Sequence, residues 1–461
     1  MNPCLMILVR TFLLIAASAV AMSARAVPPP PPTFTVNDHA QDLPDDNPGN
    51  GACHTTAGTC TLRAAIMEAN RAINGAMVVL PAGTYVLTIL PDVCADSGDD
   101  ACGDLNLKAP TSGNPAISIV GAGAATTIID GNKIDRLFNV ESGRTVNISG
   151  VTIRNGYRAS LIGAGIFNGG TLTLTQCTIS GNEGHAYGGG LSNSGTLYLN
   201  QSSVTGNTTT DFGGGLFNNG VATVSASTFS ANIAVAGGGI QNGNSATLSV
   251  DTSTISGNTA TGSIGGGIGN SHVLFVSNST ISANHASTNG GGVWNNSAGV
   301  ANFYNTTIAY NEADADFDSV GDGAGIYNNA GGVFNLRNSV VAGNYLSGQQ
   351  DYEDCFGEIG IFGNDQFYAI PPQCVVAANS SGTSSYIGSL NEIGILANRG
   401  GPTQTIALVP PSNLIGGAVG CDDQNGMPIF TDQRGRPRPP PASNRCDIGA
   451  FEYNEIFADG F

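Results

Sequence analysis

One phrase, restated seven times between residues 163 and 328, constrains this chain more than any other feature. It opens on a glycine triplet or near-triplet: Gly163-Ala-Gly165, Gly188-Gly-Gly190, Gly213-Gly-Gly215, Gly237-Gly-Gly239, Gly265-Gly-Gly267, Gly290-Gly-Gly292 and Gly323-Ala-Gly325. Successive starts lie 24 to 33 residues apart. Each is followed by an aliphatic residue, a variable residue and an asparagine: Asn168, Asn193, Asn218, Asn242, Asn270, Asn295 and Asn328. A second run follows, such as Thr171-Leu-Thr-Leu-Thr175. A third phrase then brings its own asparagine, as at Asn182, Asn207, Asn258 and Asn284. Self-similarity at this period is the mark of stacked coils, each too small to bury an apolar face alone.

Alternation at period two with Thr or Ser, and the wealth of β-branched residues, select strand over helix. Glycine at this frequency costs a helix about 1 kcal/mol per residue. In a stack of β-coils the same glycines make corners and let neighbouring coils approach. Asparagines repeated coil over coil can bond one another in amide ladders, about 4.8 Å apart. Leucine-rich horseshoes lack support because their leucine phrase is missing, and propeller blades are about twice as long. The fold expected is all-β, a parallel β-helix solenoid.

Open ends of a solenoid need covering. Thr61-Leu-Arg-Ala-Ala-Ile-Met-Glu-Ala-Asn70 is the best helical stretch, with Leu62, Ala65, Ile66 and Ala69 on one face, and serves as the N-terminal α-helical cap. It precedes Tyr85-Val-Leu-Thr-Ile89, taken as the first strand. Near the other end, Gln404-Thr-Ile-Ala-Leu408 and Cys446-Asp-Ile-Gly-Ala-Phe451 break the repeat and are expected to close the stack.

These same residues resemble known families. Cys60-Thr-Leu-Arg-Ala-Ala-Ile-Met-Glu-Ala-Asn70 with Leu80-Pro-Ala-Gly-Thr-Tyr85 is similar to the CSLREA domain that opens many bacterial secreted β-helix proteins. Ala64 stands where that motif has glutamate. The Gly-Gly-x-aliphatic and Ile-x-x-Asn phrases resemble the repeats of chlamydial polymorphic outer membrane proteins, although the autotransporter barrel of those proteins is missing. Gly400-Gly-Pro-Thr-Gln-Thr405, Asp432-Gln-Arg-Gly-Arg-Pro437 and Cys446-Asp-Ile-Gly-Ala-Phe-Glu452 resemble a C-terminal choice-of-anchor module. Ser412-Asn-Leu-Ile-Gly-Gly417 lacks the aspartate usual in that module. The resemblance implies a right-handed β-helix on a bacterial surface or in the medium, and implies no activity.

The first residues point to export. Arg10 precedes the apolar run from Thr11 to Ala21, and Ala24-Arg25-Ala26 is a small-x-small cleavage pattern. The layout expected is a signal peptide over 1–26, a linker and the start of the mature chain over 27–52, the N-terminal cap and first coils over 53–110 and repeats over 111–345. Residues 346–452 hold the C-terminal coils and capping module, and 453–461 a tail. No later stretch reaches the roughly 20 apolar residues of a transmembrane helix. Export agrees with the cysteines, which fall into near neighbours: Cys53/Cys60, Cys94/Cys102, Cys355/Cys374 and Cys421/Cys446. Nearest-neighbour disulfides are the simplest pairing, without excluding others. Cys177 is left over and reads as a buried free thiol. Zinc has no Cys-x-x-Cys or histidine pair to hold it.

A formal charge of -18 argues against nucleic acid and anionic membranes as partners. Only 11% of residues are charged, and Arg158 to Arg337 encloses no lysine or arginine. A polysaccharide lyase needs cations for the uronate carboxylate and a base for its α-proton. An inverting glycosidase needs two carboxylates about 6.5–9.5 Å apart, and the central coils repeat no such pair. His185, His272 and His285 look scattered, without acidic partners. One acidic insertion stands out, Glu312-Ala-Asp314-Ala-Asp316-Phe-Asp318-Ser-Val-Gly-Asp322. Asp314, Asp316, Asp318 and Asp322 suit a solvated loop, a Ca²⁺ cage as the one cofactor in view, or the missing catalytic pair.

The variable residue of each phrase points away from the core. These residues are Phe167, Ser192, Phe217, Gln241, Gly269, Trp294 and Tyr327. Four aromatics in line, Phe167, Phe217, Trp294 and Tyr327, suit sugar stacking or anchorage of a surface protein, unless flanking loops cover them. The function expected is that of a secreted or cell-surface, adhesin-like monomer that binds a glycan or surface protein without catalysis. The rival is a polysaccharide-degrading enzyme, a lyase or glycoside hydrolase, using the carboxylates of the acidic loop.

Overall fold

The computed structural model describes residues 30–91, 100–111, 113, 115–158, 162–418, 420–422, 426–439 and 446–453. The chain separates into two compact units at Pro30 and Pro31. The first, apart from its last residue, lies outside the described residues, and so does the expected signal peptide. The second unit is a right-handed parallel β-helix. No described helix is long and apolar enough to cross a membrane.

One coil shows how the sequence builds the rest. It consists of four short strands, Ile166–Asn168, Thr171–Thr175, Thr178–Ser180 and Glu183–Gly184. The next coil repeats them in parallel register, with Leu191 opposite Ile166, Leu197 opposite Leu172 and Val204 opposite Ile179. Burial alternates along Thr171–Thr175, so Leu172 and Leu174 face inward and the threonines outward. Like then stacks on like: Leu172, Leu197, Ala222, Leu248, Leu274, Ala301 and Phe334 form one fully interior row. Each buried leucine there stabilises by about 1.5–3 kcal/mol.

The corners are held by side-chain ladders. Asn168 Nδ2 donates to Asn193 Oδ1 at 2.7 Å and Asn193 to Asn218 at 2.8 Å. The chain continues through Asn242, Asn270 and Asn295 to Asn328. A second ladder runs from Asn182 through Asn207, Asn232, Asn258, Asn284 and Asn311 to Asn344. Gly190 shows why the triplets are glycine. A Cβ there would meet the Gly215 carbonyl at 2.6 Å and the Asn207 side chain at 3.1 Å.

A third ladder explains Cys177. Its N–H donates to Ser202 Oγ, Ser202 N–H to Ser227, Ser227 to Ser253 and Ser253 to Ser279. Cys177 therefore occupies the serine position of the first coil in that row. It is free and buried, and burial pushes its thiol up to about 11.

At the N-terminal end, helix α1 (Leu62–Arg71) is capped by Thr61, whose hydroxyl accepts from Ala64 N–H. Leu62, Ala65, Ile66 and Ala69 join the same apolar core as the coils. Ala64 has no exposed surface, so a glutamate at this position would lie in the core. Within 27–52, read as linker and start of the mature chain, a strand follows the prolines. Thr33–Thr35 pairs in parallel with Met77–Val79, and Phe34 and Val36 are buried. Their period-two alternation signals a strand just after the prolines. Two strands, Thr33–Thr35 and Ala76–Leu80, thus precede the one containing Tyr85.

The C-terminal module is a second correction. It lies along the flank of the stack instead of closing its end. Gln433 Nε2 donates to the Ser253 carbonyl at 3.0 Å, Arg438 to Asn278 at 3.1 Å, and Gly449 N–H to the Asn338 carbonyl at 2.9 Å. A broken repeat signals only that the chain has left the stack. Side-chain partners some 80 to 180 residues away then decide where it goes. The last coil strands, Cys374–Val376 and Thr383–Tyr386, pair with Gly357–Ile359 and Asn364–Phe367.

Three of the expected disulfides join Cys53 to Cys60, Cys355 to Cys374 and Cys421 to Cys446. The fourth expected pair, Cys94/Cys102, is not among the described bridges. Cys102 is itself disulfide-bonded, whereas Cys94 lies outside the described residues.

Candidate functional site

Register places the variable residues in one outer row, as the repeat phrase requires. Phe167, Ser192, Phe217, Gln241, Gly269, Trp294 and Tyr327 are successive partners, and Phe356 extends the row by one coil. The four expected aromatics are half-buried, and they do not share one site. Phe167 lies under the Arg136 guanidinium at 5.6 Å, which is itself bound to Asp104 at 2.6 Å. Tyr327 stacks on Phe356 at 4.7 Å with rings nearly parallel. Phe217 and Trp294 share a cleft of about 560 Å³.

The other wall of that cleft is a second row, on the residue that precedes each glycine triplet. Backbone bonds keep it in step: Gly163 N–H to the Tyr187 carbonyl, Gly188 to Phe212, Gly213 to Ala236, Gly237 to Ile264, Gly265 to Asn289 and Gly290 to Asp322. Tyr187 and Phe212, each more than a third exposed, stack on each other at 5.7 Å. Tyr187 also stacks on Phe217 at 4.6 Å. The sequence carried a signal for this wall, since Tyr187 and Phe212 hold the same place before Gly188 and Gly213.

The cleft is mainly apolar, with polar groups set into it but no charge. Ser194, Asn219, Gln241, Asn244 and Ser271 line it beside the aromatics, and none of its described lining side chains is charged. Cations around the stack are taken up elsewhere, as in Lys133–Glu183, Arg136–Asp104, Arg154–Asp130 and Arg337–Asp422. Such a lining can stack on apolar ring faces and bond hydroxyls. It has nothing to neutralise an acidic sugar.

The acidic insertion does not form the cage of four carboxylates. Asp314, Asp316 and Asp318 bring ligand oxygens within 4.8 Å of one another. Asp314 is buried, accepts from Ser319 N–H at 3.0 Å, and leaves Oδ2 without a hydrogen-bond partner. Burial raises its pKa, and Asp318 and Asp316 add to the rise. Asp322 stands apart because it belongs to the second row, where its N–H donates to Asn289 Oδ1 at 2.8 Å. Its charge acts instead on Glu353. Burial, aided by Asp322, Asp351 and Asp354, pushes that carboxyl up to about 7.

His285 is the last correction. Pairing across coils sets Glu312 opposite it, and Nδ1 meets Glu312 Oε2 at 2.5 Å. The two are 27 residues apart, a separation that only coil stacking bridges. His272 bonds the Ala246 carbonyl, and His185 sits edge-on to Tyr157.

No family model matches the chain, and no curated protein matches it. The resemblances to the CSLREA domain, the outer-membrane repeats and the anchor module therefore rest on their motifs alone. Among solved structures, the chain is similar to pectate lyase Pel9A, with 15% identity over 92% of this chain and 96% of that one, at a TM-score of 0.41. It is also similar to the A-module of the Azotobacter vinelandii mannuronan C-5 epimerase AlgE6, with 15% identity over 76% and 98% and a TM-score of 0.40. The PL6 family alginate lyase AlyGC follows, with 10% identity over 87% and 60% and a TM-score of 0.33.

Proposed function

We propose that this protein is an exported, monomeric β-helix scaffold at a cell surface or in the medium, which binds a neutral glycan and does no chemistry on it. The observation that carries this reading is the cleft between Phe217 and Trp294, walled by Tyr187 and Phe212 and lined by amides and hydroxyls without a charged side chain. Aromatic faces give such a site affinity, and polar groups give it orientation. Trp294 is the only tryptophan, so its emission reports the site without labelling. Neutral oligosaccharides are expected to quench or shift that emission. Trp294→Ala, followed by calorimetry, is expected to weaken binding by about 1–2 kcal/mol. Unchanged emission with every neutral glycan tried would defeat the reading.

A hydrolytic reading is favoured by one feature. Asp322 lies on the same row as Tyr187 and Phe212, and Glu353, held up to about 7, responds to its charge. A carboxyl whose pKa is raised toward neutrality beside a second carboxyl is the arrangement of a general acid with its partner. Under this reading new reducing ends appear from a glycan, and Glu353→Gln abolishes them. Under the binding reading the assay stays flat.

A further inference from the structure

We infer that the cleft takes an internal stretch of a linear, uncharged polysaccharide lying parallel to the solenoid axis, with Gln241 as its central hydrogen-bonding contact. This rests on the glycan-binding reading above and adds the ligand's length, direction and point of recognition. Both walls are rows with one residue per coil, so the cleft follows the axis by construction. Phe217 and Trp294 stand three coils apart in the outer row, about 14 Å at the spacing of neighbouring strands. A single sugar ring cannot touch both. Beyond Trp294 the row continues through Tyr327 to Phe356, so aromatic surface extends past one end of the cleft.

Between the two aromatics the row holds Gln241, which lines the cleft, and then Gly269. A Cβ on Gly269 would lie 2.1 Å from Gln241 Oε1, so only glycine lets that amide lie flat along the row. Gln241 is 8% exposed, and its Nε2 has only a long contact of 3.5 Å to Ser271 Oγ. Its Oε1 has no hydrogen-bond partner. A buried acceptor without a donor is unfavourable, and a ligand hydroxyl satisfies it once the flexible end of the side chain turns toward the cleft. Gln241 is thus a polar contact set between two stacking platforms, one coil from Phe217 and two from Trp294.

The test is a titration of the full chain with cello-, manno- and xylo-oligosaccharides from monosaccharide to hexasaccharide, read by Trp294 emission and calorimetry. In the series that binds, affinity is expected to rise at least about tenfold from disaccharide to hexasaccharide, the step that one added contact of about 1.4 kcal/mol gives. Gln241→Leu should lower hexasaccharide affinity about tenfold, and Gly269→Ala, which displaces the amide, should do the same. Circular dichroism and melting confirm that each variant is folded. Binding that is equally strong for monosaccharide and hexasaccharide overturns the inference and leaves glycan binding standing. A hexasaccharide affinity untouched in both folded variants overturns the role of Gln241. No binding in any series at any length defeats the underlying reading itself.

Discussion

The two ends of the stack solve the same problem by different chemistry. At the N-terminal end the interior is covered by α1, whose apolar face continues the core. Arg63, fully buried there, is bound by Asp42 at 2.7 and 3.1 Å. At the C-terminal end no described strand pairs beyond the last coil. Val375, Val376 and Tyr386 of that coil are 55%, 48% and 60% exposed. What is finished there is the polar framework. Asn344 Nδ2 donates to Asp354 Oδ1 at 2.8 Å, and Ser339 N–H to Asp365 Oδ1 at 2.8 Å. The ladders have a direction. Along both asparagine ladders each side-chain amide donates to the next asparagine toward the C-terminus, so the first rung needs a donor and the last an acceptor. In the second ladder Gly156 N–H supplies the first to Asn182 Oδ1 and the Asp354 carboxylate the last, whereas the first ladder ends on the Glu358 carbonyl. A solenoid end therefore needs an apolar cover or a polar terminator according to what it leaves unmatched.

The largest effect should come from breaking the N-terminal cover. Arg63→Ala leaves Asp42 buried and without its cation, and about 3–5 kcal/mol of stability should be lost in denaturant unfolding. A variant as stable as the parent would show that the cap sits on the stack without holding it.

The next test separates the ends by pH. Burial pushes Asp354 and Asp365 each up to about 7, with N–H donors opposing the rise. An unfolded aspartate titrates near 4, so between about pH 4 and 7 the folded state binds protons that the unfolded state has lost. Stability is therefore greatest at the acid side of that window, falls on the order of a few kcal/mol as pH rises through it, and levels off above it. Asp365→Asn should flatten much of this slope in melting curves, because Oδ2 has no partner that an amide nitrogen would offend. Asp354→Asn should cost about 1–3 kcal/mol at every pH. Its Oδ2 accepts from Tyr368 and Ala369 N–H, and an amide nitrogen cannot.

Between the ends, Asn218→Leu should cost about 1–3 kcal/mol by leaving Asn242 Oδ1 without its ladder donor and taking one acceptor from Asn193 Nδ2. If it costs nothing, direction in the ladders matters only at their termini. The smallest effect concerns the insertion that precedes the C-terminal coils. Calcium at about ten times the dissociation constant of a weak carboxylate site stabilises by about 1.4 kcal/mol. If Asp314, Asp316 and Asp318 hold the ion, Asp316→Asn with Asp318→Asn should remove that rise in melting temperature. Asp322→Asn should leave it intact.

The coil was legible in the sequence because its physics is local and repeated. Gly190, Asn193 and Leu197 each recur one coil later, and a period of 25 residues sets like beside like. The helical cap was legible through its apolar face, and the outer row through alternation. The cleft was half legible. Phe217 and Trp294 could be named from the phrase, whereas Tyr187 and Phe212 enter because the loop after the fourth strand of each coil brings them against the row.

What the amino-acid order determined by itself is the content of each coil: which residues face inward, which make corners, and which stand in line outside. A two-residue alternation and a fixed repeat require no knowledge of distant contacts. Tertiary structure alone decided everything that joins unlike segments. It set Glu312 against His285, separated Asp322 from its neighbours in the acidic loop, covered Phe167 with Arg136, and laid Gln433 and Arg438 along the flank. Those contacts depend on where the coil lengths of 24 to 33 residues bring side chains around the axis. Neither end of such a pair carries a local sign of the other.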